Sequence, residues 1–268
     1  MSKKQSGKRN IQVKKFILNC VPSAGQENDW TFADAIEAGV VSMLKAIPKA
    51  IDLREDWWPV DNQKNTGACV GFATAYGVLR WHYVKANWIQ ETQKPSARFI
   101  WMANKETDEI TSYPTTFLER TGTQTKLALG VARNYGCVLE EDLPIRGSLS
   151  DIPRAAFYTR AATLRIASYH NLGHNLEVWR RWLASHGPIL TRLSVDKTWD
   201  RARLTGGHLQ TYQRDTVRGG HAVCLVGYTP DHFIVRNSWG DGWGDNGFGY
   251  ASNAYTAEAF TEAYGAVL

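Results

Sequence analysis

An α+β fold, with helices in the first half and strands in the second, is predicted for this chain of 268 residues. Apolar side chains cover nearly every side of the run over 69–84, which is typical of a buried central helix. After about residue 160, short apolar runs alternate with glycine, proline and aspartate turns, as β-strands do. Because the helices precede the strands, the order argues against repeated βαβ units.

Further helices are expected around 96–108, 124–135 and 175–186. Ser96 is placed to start the first of them, and Gly136 is a typical stop signal for the second. The predicted strands cover residues 163–170, 188–195, 220–228, 231–237 and 247–252.

Residues 1–46 differ in character from the rest of the chain. The first ten residues are predicted to be disordered, and residues 11–46 contain a short apolar stretch, a turn-rich piece and a helix capped by Asp29 or Thr31. Residues 47–268 are expected to form the main domain. The apolar face of the N-terminal helix is predicted to consist of Phe32, Ile36, Val40 and Leu44.

The formal net charge of +5 comes from the N-terminal tail. Six of the 31 basic residues, and no acidic one, lie in the first fifteen positions, which leaves 25 basic against 26 acidic residues in the body. A short basic tail of this kind is usually a solvated terminus. No apolar run is long enough to span a bilayer. We therefore expect a monomer with no nucleic-acid partner and no membrane partner.

The four cysteines, Cys20, Cys69, Cys137 and Cys224, are too sparse for a disulfide scaffold and do not have metal-ligand spacing. The apolar run over 16–18 is too short for the core of a signal peptide. We expect a cytoplasmic protein with free thiols and with no metal or cofactor. Export by a route without a cleaved signal stays open.

Cys69 is the candidate nucleophile. It opens the buried helix directly after the polar loop over 61–68, and a helix N-terminus favours the reactive thiolate. Gln63 lies six residues earlier and is placed to donate to a developing oxyanion, with the Cys69 backbone N–H as the second donor. Most free cysteines are small buried hydrophobic residues, so position alone does not decide the role of Cys69.

His221 is the candidate base among seven histidines. It opens a predicted strand directly after Gly219 and Gly220, where small residues would let another lobe approach closely. Asn237 lies sixteen residues later, at the end of the next predicted strand. If the two strands pair antiparallel, the Asn237 amide oxygen lies beside a ring N–H of His221 and orients the base. Trp239 is expected to shield that hydrogen bond from water.

Three motifs resemble those of the papain family of cysteine peptidases, and the resemblance covers about 47–268. The family's Q-x-x-x-x-x-C motif is matched over 63–69, its small-H-A-V-x-x-V-G-Y motif over 220–228, and its N-S-W-G-x-x-W-G-x-x-G motif over 237–247. Their order along the chain is also that of the family.

The resemblance implies a papain-like fold of two lobes with the active-site cleft between them. A helical lobe over about 54–160 would carry Cys69, and a strand-rich, antiparallel and barrel-like lobe over about 161–255 would carry His221 and Asn237. The implied activity is that of a cysteine endopeptidase acting on protein or peptide substrates. The positions expected to bind substrate are Gly122, Thr123, Gly220 and Trp239.

Several positions depart from the family pattern. Val70 and Gly71 stand where tryptophan and alanine are usual, Thr66 replaces a disulfide cysteine, and Thr123 replaces the second member of a glycine pair. Gly220 replaces an acidic residue often found before the histidine. Together these departures indicate a non-lysosomal, bacterial branch of the family.

Two interpretations of residues 1–46 stay open. The segment is either a short propeptide removed near residue 47 or a permanent extension of the catalytic domain, and we favour the extension because its apolar residues can bury a permanent face. In both cases we expect it to limit access to the cleft. The apolar residues concerned are Phe16, Ile17, Leu18, Trp30, Phe32 and Ile36.

Two alternatives to peptide hydrolysis also stay open. An amine could resolve the same acyl-enzyme, which would make the protein a transamidase or peptide ligase. A catalytically silent binding module is the other alternative, and the intact set of Gln63, Cys69, His221 and Asn237 argues against it.

Overall fold

The computed structural model describes residues 16–42, 44–107, 122–147 and 149–268. The predicted disorder of residues 1–10 lies outside these ranges. None of the helices in the described ranges has the length and apolar character needed to cross a membrane. In chain order the helices are α1 (Phe32–Glu37), α2 (69–85), α3 (Ala97–Thr107), α4 (Thr125–Asn134), α5 (Arg154–Ala162), α6 (Leu176–Ser185) and α7 (Asn253–Ala259). The strands are β1 (Ile51–Asp52), β2 (Ser168–Asn171), β3 (Ile189–Val195), β4 (His208–Leu209), β5 (Gly219–Tyr228), β6 (His232–Arg236), β7 (Phe248–Ser252) and β8 (Phe260–Val267).

Helix α2 is the central helix predicted from the apolar run. It is continuous, with α-helical ends over Cys69–Phe72 and Arg80–Lys85 and a π-helical stretch over Ala73–Leu79 between them. A Cβ atom on Gly77 would lie 2.1 Å from Cys224 Sγ, so glycine at this position lets α2 rest directly on β5.

The eight strands form one sheet in the order β2-β8-β3-β5-β6-β7-β4, with β1 added beside β5. Every pair is antiparallel except β4 with β7, which is parallel. The expected barrel-like closure is wrong for the described residues, because β2 and β4, at the two ends of the path, do not pair with each other. These end strands have four and two residues, too few to close a barrel.

Strand β5 contributes to two hydrophobic cores, one on each face of the sheet. Ala222, Cys224 and Val226 pack into the core that contains α2. Val223 and Leu225 point the other way, into a core shared with α1, α6 and α7. Helices thus pack on both faces of the sheet, as in an α+β protein, and the first core contains both Cys69, at the start of α2, and Ala222, near the start of β5.

Most predicted elements have counterparts in the structure. Helix α3 begins directly after Ser96, whose hydroxyl accepts the Phe99 N–H at 3.0 Å. Residue 108, the predicted end of this helix, lies outside the described residues. Helix α4 ends before Gly136, which has a left-handed φ of 85°. The prediction over 163–170 is wrong in its first half, since β2 begins only at Ser168.

Helices α5 and α7 and strands β1, β4 and β8 were not predicted. Strand β8 lies between β2 and β3, so it is paired on both sides although it was not predicted. It starts at Phe260, directly after the last residue of α7, and no glycine or proline marks the change.

Helix α1 is capped by Thr31, one of the two predicted residues. The Thr31 hydroxyl accepts the Asp34 N–H at 3.3 Å, and the Asp34 carboxylate accepts the Thr31 N–H at 2.7 Å. This reciprocal pair is a capping box. The carboxylate of Asp29, the other candidate, instead pairs with Lys126.

The predicted apolar face of α1 is wrong at its C-terminal end. The helix stops at Glu37, and the chain turns at Gly39, which has a φ of 67°. Val40 and Leu44 therefore lie beyond the helix and are exposed. Trp30, expected to help bury the segment, is 64% exposed.

Candidate active site

The side chain of Cys69 is fully buried at the first residue of α2. Its N-cap residue, Ala68, has no side chain that could accept a hydrogen bond from the first turn. The partial positive charge of the helix terminus is therefore directed at the thiol, where it favours the thiolate.

His221 and Asn237 are joined by a buried hydrogen bond. The ring Nε2 of His221 lies 2.8 Å from Asn237 Oδ1. Pairing of β5 with β6, in which Cys224 lies opposite Arg236, brings the start of one strand beside the end of the other. Because an amide oxygen only accepts, Nε2 carries the proton, and the other nitrogen, Nδ1, is left for the candidate nucleophile, Cys69.

Two tryptophans enclose the imidazole. The Trp239 ring lies 5.0 Å from that of His221, centroid to centroid, at 33°. Trp199 meets the same ring edge-on at 5.7 Å and is itself buried. Together they keep water from the bond to Asn237. The sequence analysis missed Trp199, because it lies in a short 3-10 turn outside the three motifs.

Gln63, in the loop that precedes Cys69, is buried and held by hydrogen bonds of both its backbone and its side chain. Its backbone N–H donates to the Ser238 carbonyl at 2.8 Å, and its Oε1 accepts the Ser238 hydroxyl at 2.6 Å. One Nε2 hydrogen donates to the Thr66 carbonyl at 3.0 Å, so the amide orientation is fixed. The Thr66 hydroxyl donates back to the Gln63 carbonyl at 2.8 Å, which braces the loop where the family pattern has a disulfide cysteine.

An extended part of the N-terminal segment, residues 16–21, lies against these residues. The Cys20 N–H donates to the Gly220 carbonyl at 3.0 Å, and the Val21 N–H donates to the Thr123 carbonyl at 3.0 Å. The Phe16 ring stacks on Trp239 with centroids 4.3 Å apart. Three of the four expected substrate-binding positions therefore contact this segment through these interactions.

The fourth expected position, Gly122, contacts the segment as closely. A Cβ atom on Gly122 would lie 1.8 Å from the Asn19 carbonyl oxygen, and one on Gly220 would lie 2.2 Å from that of Cys20. A Cβ atom on Gly219 would lie 2.4 Å from the Leu18 carbonyl oxygen. The small residues before His221 were expected to admit another lobe, but they make room for residues 18–20 of the N-terminal segment.

Polar contacts anchor the chain just beyond this stretch. The Ser23 N–H donates to Glu262 Oε1 at 2.8 Å and the Ser23 hydroxyl to Oε2 at 2.7 Å, while the Thr125 hydroxyl donates to the same carboxylate. Asp29 forms an ion pair with Lys126. Residues 23–29 are thus fixed to both α4 and β8.

The thiols of Cys20 and Cys69 are close enough for a hydrogen bond between them to shift the pKa of both groups, and Cys20 Sγ also lies 3.9 Å from the Val21 carbonyl oxygen. The hydrogen bond from Cys20, followed by the contact with His221, lowers the pKa of Cys69 well below its ordinary value in spite of burial. Burial, and then the same hydrogen bond, raises the pKa of Cys20 well above its ordinary value. The contact with His221 Nδ1 falls short of a strict hydrogen bond, as is common before substrate binds.

A sequence profile described as papain family cysteine protease matches residues 47–262. The chain belongs to the papain family of cysteine proteases. It is therefore classed as a papain-like cysteine peptidase, a hydrolase.

Relatives of the family are similar at low identity. Macrodontain-1 of Ananas macrodontes is 24% identical over 212 residues, which are 76% of this chain and 88% of that protein. A peptidase C1-like protein of Acanthamoeba polyphaga mimivirus is 24% identical over 237 residues, 83% of this chain and 73% of that protein. A cysteine protease of Blomia tropicalis is 33% identical over 79 residues, which span 28% of this chain and only 23% of that protein's length.

Solved structures of the family share the fold. Xylellain, a cysteine protease from Xylella fastidiosa, superimposes with a TM-score of 0.76 at 20% identity and covers 95% of this chain and 97% of its own. A digestive procathepsin L2 of Tenebrio molitor has a TM-score of 0.68 at 21% identity, over 96% of this chain and 79% of its own. The papain-like fold is thereby established.

Proposed function

We propose that this papain-family protein is a cysteine endopeptidase that cleaves protein or peptide substrates through an acyl-enzyme on Cys69. The observation that carries the proposal is the buried 2.8 Å bond between His221 and Asn237, with the remaining ring nitrogen free to serve the thiol at the start of α2. This is the nucleophile–base–orienter arrangement of an activated thiol.

The proposed reaction has two steps, acylation of Cys69 and hydrolysis of the acyl-enzyme. The Cys69 thiolate attacks the substrate carbonyl carbon, and the imidazolium of His221 gives its proton to the departing amine. The neutral imidazole then takes a proton from water, whose oxygen attacks the thioester and returns Cys69 to its thiolate. Asn237 keeps the ring in one orientation through both steps, and Trp239 and Trp199 protect its hydrogen bond.

The oxyanion is stabilised, in this proposal, by the Cys69 backbone N–H and by the second Nε2 hydrogen of Gln63. The first Nε2 hydrogen is committed to the Thr66 carbonyl, and Oε1 is committed to Ser238, so the amide cannot rotate away. A donor fixed in this way is typically worth about 10²–10³ in rate.

We also propose that residues 16–21 are a retained gate over the cleft and not a substrate. Two contacts support this. The group that meets the Cys69 thiol is the Cys20 thiol, and the Cys20 carbonyl instead accepts the Arg192 Nε–H at 3.1 Å. No peptide carbonyl of Cys20 is thus offered to the nucleophile, and the anchored stretch over 23–29 favours a permanent extension.

The cellular setting belongs to the same proposal. All four cysteines are free thiols, which is the state expected in a reducing cytoplasm. We therefore propose that the chain is a monomeric cytoplasmic protein and that it belongs to a non-lysosomal, bacterial branch of the family.

A matched pair of truncations tests the function. A variant lacking residues 1–22 removes the stretch that crosses the cleft but keeps Ser23 on Glu262, whereas a variant lacking residues 1–15 keeps that stretch. We expect the shorter chain to cleave a small fluorogenic peptide and to take up one peptide-like epoxide inhibitor on Cys69, measured by mass spectrometry. The longer chain should do both much more slowly.

Substitutions in the shorter chain identify the groups. Cys69→Ala should abolish the adduct, His221→Ala should slow it strongly, and Cys137→Ala, at another buried cysteine, should leave it unchanged. A folded short chain that gives no adduct and cleaves no peptide would rule the peptidase out. Product analysis with an added amine separates hydrolysis from transamidation.

A further inference from the structure

Two of the four cysteines meet in the cleft, and the other two do not. The Cys20 and Cys69 side chains are almost fully buried in one cluster, and each thiol shifts the pKa of the other. Cys137 and Cys224 have backbone carbonyls as their thiol partners, at 3.2 Å from Val138 O and 2.9 Å from Ala73 O. The contact between the N-terminal segment and the nucleophile is therefore a contact between two thiols.

We propose that Cys20 and Cys69 form a reversible disulfide that fastens the N-terminal segment into the cleft. Cys20 is then a resolving cysteine, the thiol that attacks the oxidised sulfur of Cys69 and closes the disulfide. It lies outside the three motifs of the catalytic domain. The inference rests on the proposed function only for the consequence that the linked form is inactive.

The backbone holds Cys20 where a disulfide requires it. A disulfide needs sulfur atoms about 2.05 Å apart, so a contacting thiol pair has only a short way to move. Cys20 is held on both sides of its side chain, because its N–H donates to Gly220 and its carbonyl accepts from Arg192. The Cβ-free surfaces of Gly122 and Gly220 give the segment the close approach that brings the two sulfurs together.

The two thiols divide the chemistry between them. The pKa of Cys69 is lowered, by the bond from Cys20 and then by His221, so Cys69 supplies the thiolate that an oxidant attacks first. Burial raises the pKa of Cys20, which keeps that group a protonated thiol beside it. One group is thus the site of oxidation, and the other is the hydrogen-bonded partner that closes the bond.

The step balances with a hydroperoxide as oxidant. The Cys69 thiolate attacks the outer peroxide oxygen, the O–O bond breaks, and the released alkoxide or hydroxide takes a proton, which leaves a sulfenic acid. The Cys20 sulfur then attacks the Cys69 sulfur, its proton leaves with the departing hydroxyl as water, and the S–S bond forms. Two thiols are oxidised by two electrons and the peroxide is reduced. A dithiol reductant returns both thiols by exchange.

The consequence is protection as well as inhibition. A sulfenic acid with no partner thiol proceeds to sulfinic and sulfonic acids, which thiol reductants do not reverse. Since Cys69 is buried under the segment, oxidation takes place when the segment opens, and its return presents Cys20 to the sulfenic acid. The nucleophile would then be stored as a disulfide until reductant is present.

Mass spectrometry of the full chain tests the inference without any activity assay. The protein is treated with several equivalents of hydrogen peroxide, enough to take an unprotected thiol to the sulfonic acid, quenched in acid and digested without reductant. We expect a cross-linked peptide pair joining Cys20 to Cys69, with the loss of two hydrogen masses. Dithiothreitol should convert the pair back to two thiols.

Substitutions separate the resolving role from general thiol oxidation. In Cys20→Ser, Cys69 should appear as sulfinic or sulfonic acid that dithiothreitol does not recover. The matched controls Cys137→Ser and Cys224→Ser should retain the Cys20–Cys69 pair. Equal over-oxidation of Cys69 in the unchanged chain and in Cys20→Ser would overturn the inference. So would a Cys69 that stays reduced, or a pair that involves Cys137 or Cys224.

The outcome is distinguishable from a failure of the proposed function. The variant lacking residues 1–22 tests peptide cleavage with Cys20 absent, and the cross-link is read by mass alone. A cleaving short chain with no cross-link in the full chain rejects only the disulfide. A cross-link together with an inactive short chain rejects only the peptidase.

Discussion

At the level of single residues, the Cys69 thiol gains acidity from two neighbours that lie on different parts of the chain. The hydrogen bond from Cys20 is the larger cause of its lowered pKa, burial opposes it, and the contact with His221 adds to it. Removing residues 1–22 takes away the first cause and leaves His221. The imidazole should then determine at which pH the thiol reacts.

The pH dependence of Cys69 alkylation tests that role of the imidazole. Iodoacetamide reacts with the thiolate, and a neighbouring imidazolium stabilises the thiolate. In the variant lacking residues 1–22, the pH at which the alkylation rate reaches half its maximum should therefore lie below the ordinary thiol pKa of about 8.5. Replacing His221 by Gln removes the positive charge, and the midpoint should move to higher pH. Alkylation is followed by mass spectrometry of the Cys69 peptide. An identical midpoint with and without His221 would contradict the assignment.

The residues that were predicted from sequence share one property: each lies in a contiguous motif. Gln63 and Cys69 belong to one loop and helix, and His221 and Asn237 belong to two successive strands, so local spacing was enough to relate them. Cys20 is far from Cys69 in sequence and approaches it only in the folded chain, so no local sequence pattern connects the two residues. Its place in the cleft could only be found once the segment was seen against the glycines.

At the level of elements, packing of α2 explains one departure from the family pattern near Cys69, the glycine at position 71. A Cβ atom on Gly71 would lie 2.5 Å from the Ala97 carbonyl oxygen and 2.9 Å from Trp101 Cβ, so the alanine usual in the family does not fit between α2 and α3. Capped helices such as α1 and α3 were predictable because their start signals are local. Strand β8 was not, since it follows α7 with no turn residue between them.

A pair of glycine substitutions tests this packing. Gly71→Ala should lower the free energy of unfolding by about 1–3 kcal/mol, because backbone atoms of α3 must move. Gly130→Ala, in α4, meets nothing closer than 3.9 Å and should raise it by roughly 0.5–1 kcal/mol through helix propensity. Urea unfolding at equilibrium measures both. If the two variants shift stability in the same direction, close packing of α2 on α3 does not explain Gly71.

At the scale of the whole molecule, a buried titratable side chain makes the stability of the fold depend on pH. His82, in the last part of α2, is buried, and its Nε2 has no hydrogen-bond partner among the described residues. Burial, and then the charge of His186, lowers the pKa of His82 to about 4. The fold therefore holds this histidine neutral at pH values where an unfolded chain would protonate it.

This difference makes stability depend on pH in a direction that can be worked out. A histidine in the unfolded chain has a pKa of about 6.5, so between that value and about 4 the unfolded state binds a proton that the folded state does not. Stability is therefore full above about pH 6.5 and falls as the pH is lowered. The loss from His82 should reach roughly 3 kcal/mol near pH 4, at about 1.4 kcal/mol per pH unit.

We expect His82→Leu to flatten the pH dependence of the unfolding free energy over this range, measured by urea unfolding at several pH values. The exposed His174→Leu is the matched control and should retain the slope. An unchanged slope in His82→Leu would mean that other groups, and not this buried histidine, make the fold sensitive to acid.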